Sequence, residues 1–120
     1  MSDASDGRPD PDLPDFHIRV LSSDDLWTVQ VSGELDAYTA PRLGELLAGL
    51  ISARVRHIVV DFAPLSFMGA GRLGVLVGAG KRLRRDHGTL LVRSAPPVVQ
   101  KIIEITGLNQ LLPDEAWRGT

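Results

Sequence analysis

Phe67-Met68-Gly69-Ala70-Gly71-Arg72-Leu73-Gly74 follows the β-branched run His57 to Phe62 and opens a helical pattern. The run is continuous rather than alternating, the form of a strand covered on both faces. Beyond the glycines, Leu73, Leu76, Val77 and Gly80 share one helical face, with Leu83 a turn later and Gly88 as a stop. Strand, glycine-rich loop and helix in this order make a unit of a parallel α/β sheet.

Upstream, Phe16, Ile18 and Val20 alternate with polar neighbours, and so do Trp27, Val29 and Val31. Period two predicts two half-buried strands, joined as a hairpin through Ser22-Ser23-Asp24-Asp25. Gly33-Glu34-Leu35-Asp36 then leads into a helix, with Thr39 as N-cap and Pro41 in its first turn. Leu43, Leu46, Leu47, Leu50 and Ile51 give that helix its apolar face. Downstream, Leu90-Leu91-Val92 predicts another buried strand. A third helix starts after Ser94 with Pro96 and Pro97 in its first turn; Val99, Ile102, Ile103 and Thr106 line one face and Gly107 ends it. Leu108, Leu111 and Leu112 dock the C-terminal segment before Pro113. The expected order is β-β-α-β-α-β-α: a single α/β domain with a mixed, mostly parallel sheet covered by helices.

Composition bounds the chemistry. One hundred and twenty residues suit one domain with one core. No cysteine means no disulfide, thiolate metal site or cysteine nucleophile, and His17, His57 and His87 lack metal-ligand spacing. No metal or cofactor is expected. No apolar run approaches the ~20 residues of a membrane span, and the start lacks a signal-peptide pattern, so a cytoplasmic protein is expected. Of thirteen Lys/Arg and fifteen Asp/Glu, residues 1–15 hold Asp3, Asp6, Asp10, Asp12 and Asp15 against Arg8. With Pro9, Pro11 and Pro14 interspersed, that stretch predicts a disordered acidic tail. The remainder has twelve cations and ten acids, which gives no reason to invoke nucleic acid or an anionic membrane. Lys81, Arg82, Arg84 and Arg85 suit a helix C-terminus.

Three readings of the glycine loop compete. Gly69, Gly71 and Gly74 spell G-x-G-x-x-G, a dinucleotide fingerprint. Against it, Ala63 to Met68 intervene after the strand, the next strand ends in Arg93-Ser94 rather than an acid, and too little chain follows for a full site. A second reading is packing: Gly74, Gly78 and Gly80 each weaken a helix by ~1 kcal/mol relative to alanine, so close helix–sheet contact must offset them.

The third reading rests on four pieces in order. They are Val31-Ser32-Gly33-Glu34-Leu35-Asp36 with Thr39-Ala40-Pro41-Arg42-Leu43; Val60-Asp61-Phe62 through Met68; Leu73-Gly74-Val75-Leu76; and Thr106-Gly107-Leu108 with Leu111-Leu112-Pro113. Together they resemble the STAS family, which includes bacterial anti-sigma factor antagonists, over residues 16–113. Residues 1–15 and 114–120 are then tails. The resemblance implies a non-enzymatic protein-binding module whose partner is an anti-sigma factor or switch kinase. It places the partner-binding residues at Asp36, Thr39, Met68, Gly69, Ala70, Gly71, Arg72 and Leu73. In the family this loop carries paired hydroxyls, one of them a phosphorylation site. Here the acceptor position falls on Ala70/Gly71, which have no hydroxyl, so no phospho-acceptor is expected, and Ser66 and Thr39 are poor substitutes. Arg72 stands where the family has glycine; the resemblance suggests that it faces Asp36, or that both engage a partner, and an arginine pointing into solvent is the plain alternative. The other functions open to such a module are small-ligand or nucleotide binding, and a scaffold forming homo- or hetero-oligomers.

Overall fold

The computed structural model describes residues 16–69 and 73–106. Within them the chain runs β1 (Phe16–Ser23), β2 (Leu26–Leu35), α1 (Ala40–Ser52), β3 (His57–Asp61), β4 (Leu65–Met68), α2 (Gly74–Arg85), β5 (Thr89–Arg93) and α3 (Pro97–Thr106). The tail at 1–15, the Thr106 side chain, Gly107 and the docking of Leu108, Leu111 and Leu112 lie outside the described residues.

Strand order is β1-β2-β3-β5, with β4 also on β2. β1 is antiparallel to β2; every other pair is parallel, giving the expected mixed α/β sheet. The hairpin closes at Ser23↔Leu26, so Asp24-Asp25 alone form the turn. Asp24 takes φ 55°, a left-handed conformation that aspartate tolerates. Two features depart from the expected order. β2 does not end at Gly33 but continues to Leu35, and β4 is an additional strand lying beside that extension.

The core lies between the sheet and its helices. Val29, Val31 and Leu35 of β2 and Ile58 and Val60 of β3 are fully buried against Leu43 and Leu47 of α1 and Leu76 and Leu83 of α2. Each such side chain contributes about 1.5–3 kcal/mol of burial. Val59 and Leu91 are buried as well, on the opposite sheet face, so β3 and β5 are covered on both sides as their unbroken apolar runs predict. That second face carries a polar row: Gln30, Asp61 and Arg93 sit in register across three strands. The Gln30 side-chain amide donates to Asp61 Oδ2 at 3.3 Å, and Arg93 Nη1 lies 3.8 Å from the same oxygen.

The first two helices end alike. At α1, Arg54 N donates to Ile51 O and Val55 N to Leu50 O; at α2, His87 N donates to Arg84 O and Gly88 N to Leu83 O. These are Schellman pairs, which satisfy the last carbonyls and require a left-handed residue. Arg54 (φ 74°) and His87 (φ 64°) fill that role, where glycine is the usual occupant. Gly88 is thus not the left-handed stop. It is glycine because a Cβ there would run into the Arg56 carbonyl oxygen and would come within 3.0 Å of Leu83 Cδ2. Since exposed Arg54 bears the strain of a Cβ at positive φ, Arg54→Gly is expected to stabilise the domain by about 0.5–1 kcal/mol. Thermal unfolding should show a midpoint roughly 3–6 °C higher, and a drop instead would mean that the arginine side chain itself stabilises this corner.

Close packing explains fewer of the helical glycines than the sequence suggests. A Cβ at Gly74 or Gly78 would meet nothing within 4 Å. A close approach does occur at Gly44, whose Cβ would lie 3.2 Å from Val75 Cγ1 where α1 meets α2.

Candidate functional site: the corner where β2 and β4 end

The site is built by one register. β4 pairs parallel to the last residues of β2 through Gly33↔Leu65, Glu34↔Phe67 and Leu35↔Met68, with an irregularity between Gly33 and Glu34. Ser66 is the extra residue there, and Gly33 takes φ 89°, open to glycine and strained for other residues. Gly69 N donates to Leu35 O at 2.9 Å and prolongs the ladder by one bond. The segments after Leu35 and after Met68 therefore leave the sheet side by side, at the carboxyl ends of parallel strands, where α/β sheets present their binding surfaces. Two stretches separated by some thirty positions in sequence are brought to one corner.

Asp61 launches β4. It is 4% exposed, and its Oδ1 accepts from Ala63 N at 2.9 Å, turning the chain after β3; Leu65 N then donates to Phe62 O. An aspartate two residues before Ala63-Pro64 is a readable turn signal whose weight in the site is missed when the residue is taken only as part of a strand.

On the β2 side, the turn from Glu34 to Ala40 is closed by its own side chains. Thr39 Oγ1 donates to Glu34 O at 2.8 Å and accepts from Asp36 N at 2.8 Å. Asp36 Oδ1 accepts from Tyr38 N at 2.9 Å and Thr39 N at 3.0 Å, and lies 3.2 Å from Thr39 Oγ1. Ala40 N donates to Asp36 O. Thr39 does stand at the N-cap of α1, but its hydroxyl bonds backwards into the turn and makes no capping bond to the helix. At 2% exposure its part in the site is to shape the turn. Pro41 sits in the first turn, as expected.

That closed turn pushes Tyr38 outwards, 82% exposed, while Phe67 on β4 is 54% exposed across from Glu34. Both aromatics escape a search for polar signatures; Phe67 follows exposed Ser66 on a strand too short for alternation to show which face it takes. Met68 and Gly69 are half-buried beside them, and Leu73 is buried at the N-cap of α2. Gly74 opens that helix exposed, with open space where a Cβ would be, so bare backbone faces outwards at its first turn. Ala70, Gly71 and Arg72 lie outside the described residues, and with them the pairing of Arg72 with Asp36.

The geometry bears on the rival chemistries. In a dinucleotide loop the first glycine closes the turn after the strand and approaches the pyrophosphate. Here the Gly69 N–H is spent on the sheet, and the strand leading into it is β4 rather than the core strand β3. No cluster of three or more His, Asp or Glu residues fit to hold a metal occurs among the described residues, and no described helix is long and apolar enough to cross a membrane.

The model of a family described as "Mlab, STAS domain" matches residues 18–113, which spans both sides of this corner. The chain belongs to the STAS family. The STAS domain is 32% identical over 97 residues to an anti-sigma-B factor antagonist of Staphylococcus epidermidis, covering 81% of this chain and 90% of that one. It is 33% identical over 97 residues to the protein of the same description in Staphylococcus aureus, with the same coverage. Among solved structures, an anti-sigma factor antagonist from Mycobacterium paratuberculosis superposes with a TM-score of 0.72 at 28% identity, over 87% of this chain and 86% of that one. The STAS domain thus has the α/β architecture that its sequence predicts, with the corner of β2 and β4 inside the matched region.

Proposed function

We propose that this STAS domain is a regulatory protein-binding module of the anti-sigma factor antagonist kind, working without catalysis in the cytoplasm. Its partner is an anti-sigma factor or switch kinase, and it acts by partner switching. The reading is supported by relatives named as such antagonists at about one-third identity over most of both chains. The observation that carries it onto particular residues is the pair of exposed aromatics, Tyr38 and Phe67, on a corner held by side-chain and backbone hydrogen bonds. Aromatic side chains dominate the energetics of protein interfaces, and a fixed turn loses little entropy on docking.

In this proposal the partner meets Asp36, Met68, Gly69 and the stretch Ala70-Gly71-Arg72, while Thr39 and Leu73 hold the surface in shape from beneath. The chemistry that would release the partner by phosphorylation has no acceptor, since Gly69, Ala70 and Gly71 carry no hydroxyl. Binding is then constitutive with respect to that modification.

Captured partner, identified from the source cytoplasm and purified, should bind Tyr38→Ala and Phe67→Ala about 10- to 100-fold more weakly than the parent, with unchanged thermal midpoints. Calorimetry or surface plasmon resonance reads this directly. Retention of full affinity by both variants would move the interface off this corner. Incubation with ATP and the partner should leave the intact mass unchanged; phosphorylation elsewhere that abolishes binding would overturn the unswitched mode.

A further inference from the structure

The far half of α2 presents a second surface, unrelated to the β2/β4 corner. Among the described residues, an open hollow there is lined by Gly78, Lys81, Arg84 and Arg85. The three cations are exposed, and none has a carboxylate partner among the described residues. A Cβ at Gly78 would meet nothing within 4 Å, so bare helix backbone is exposed there, with Lys81 and Arg85 one and two turns further along the same helix face. Such a hollow fits an extended chain carrying negative charge.

We propose that the occupant is this chain's own acidic stretch, residues 1–15. Three observations select it. Asp3, Asp6, Asp10, Asp12 and Asp15 against a single Arg8 make it the one acid-rich block of the sequence, whereas the cations crowd into residues 81–85. Pro9, Pro11 and Pro14 favour the extended polyproline conformation, which leaves few alternatives to lose on docking in a groove. Fifteen residues reach up to about 50 Å from Phe16 when extended. The largest dimension of the molecule is 38 Å, so the stretch can cross to the far end of α2. Tethering supplies an effective concentration in the millimolar range, which lets individually weak ion pairs act together. The contact covers the basic face of α2 and keeps other polyanions off it.

The test compares amide 1H–15N spectra of the full chain with those of a full-length variant in which all five aspartates of residues 1–15 are changed to asparagine. These substitutions lie outside the described elements. At about 20 mM salt, where charges interact over roughly 20 Å, the amides of residues 78–86 should differ between the two proteins. The parent's signals should move onto the variant's as salt rises to about 0.5 M. Lys81→Gln with Arg85→Gln in the full chain should abolish the same difference while the β-sheet signals stay in place. Coincident α2 signals at low salt would overturn the proposal. So would a difference that grows with protein concentration alongside a dimer in light scattering, because the stretch would then lie on a second copy.

Discussion

Gly88→Ala is expected to destabilise the domain by about 3–4 kcal/mol, a large change for one methyl group. The methyl would collide with the Arg56 carbonyl oxygen, which is already engaged by Thr89 N at 2.8 Å at the start of β5. Leu83 Cδ2 closes the other side at 3.0 Å. The backbone must therefore shift, and a shift lengthens both the Thr89–Arg56 bond and the short Gly88–Leu83 bond that terminates α2. Thermal unfolding should fall by roughly 15–25 °C. The same substitution at Gly78, where the added methyl meets nothing, is expected to stabilise by about 1 kcal/mol through helix propensity alone. Equal effects at the two positions would show that close approach at Gly88 is not what demands glycine.

Thr39→Val should cost about 2–4 kcal/mol and weaken partner binding together with stability. Valine keeps the buried shape but takes away the acceptor for Asp36 N and the donor for Glu34 O, the two bonds that tie the turn to the end of β2. Without them the turn loses the contacts that hold Asp36 Oδ1 over Tyr38 N and Thr39 N. Thr39→Ser retains both bonds and loses only a buried methyl, so it should cost about 1 kcal/mol and bind the partner as the parent does. Denaturant unfolding separates the two variants; a valine variant within about 0.5 kcal/mol of the parent would mean that the hydroxyl does not hold the turn.

Legibility from sequence followed the physics of each element. The apolar face of α1 and the unbroken apolar runs of β3 and β5 were readable because burial alone dictates them, and Leu43, Leu47, Ile58 and Val60 are fully buried as expected. β4 was not readable. Its four residues Leu65-Ser66-Phe67-Met68 include two exposed ones, so it has no periodicity of its own and forms only because β2 extends far enough to pair with it. Thr39 was identifiable as a polar residue at a helix start, but two hydrogen-bonding directions suit such a residue and only the fold decides between them. Gly88 was identifiable as a helix end, whereas the carbonyl it avoids belongs to Arg56 across a crossover. In the site, Asp36 and Gly69 were matched through family resemblance; their adjacency comes from the Leu35↔Met68 register, which no local pattern encodes.

The Gly69–Leu35 hydrogen bond joins main chain to main chain, and any amino acid except proline at position 69 could supply its donor. The address of the loop is thus written in backbone, while its chemical message is left to side chains. A hydroxyl or an arginine can come or go in such a loop without breaking that bond. Under the proposed function, gain and loss of a covalent switch become changes of a few codons on a constant scaffold.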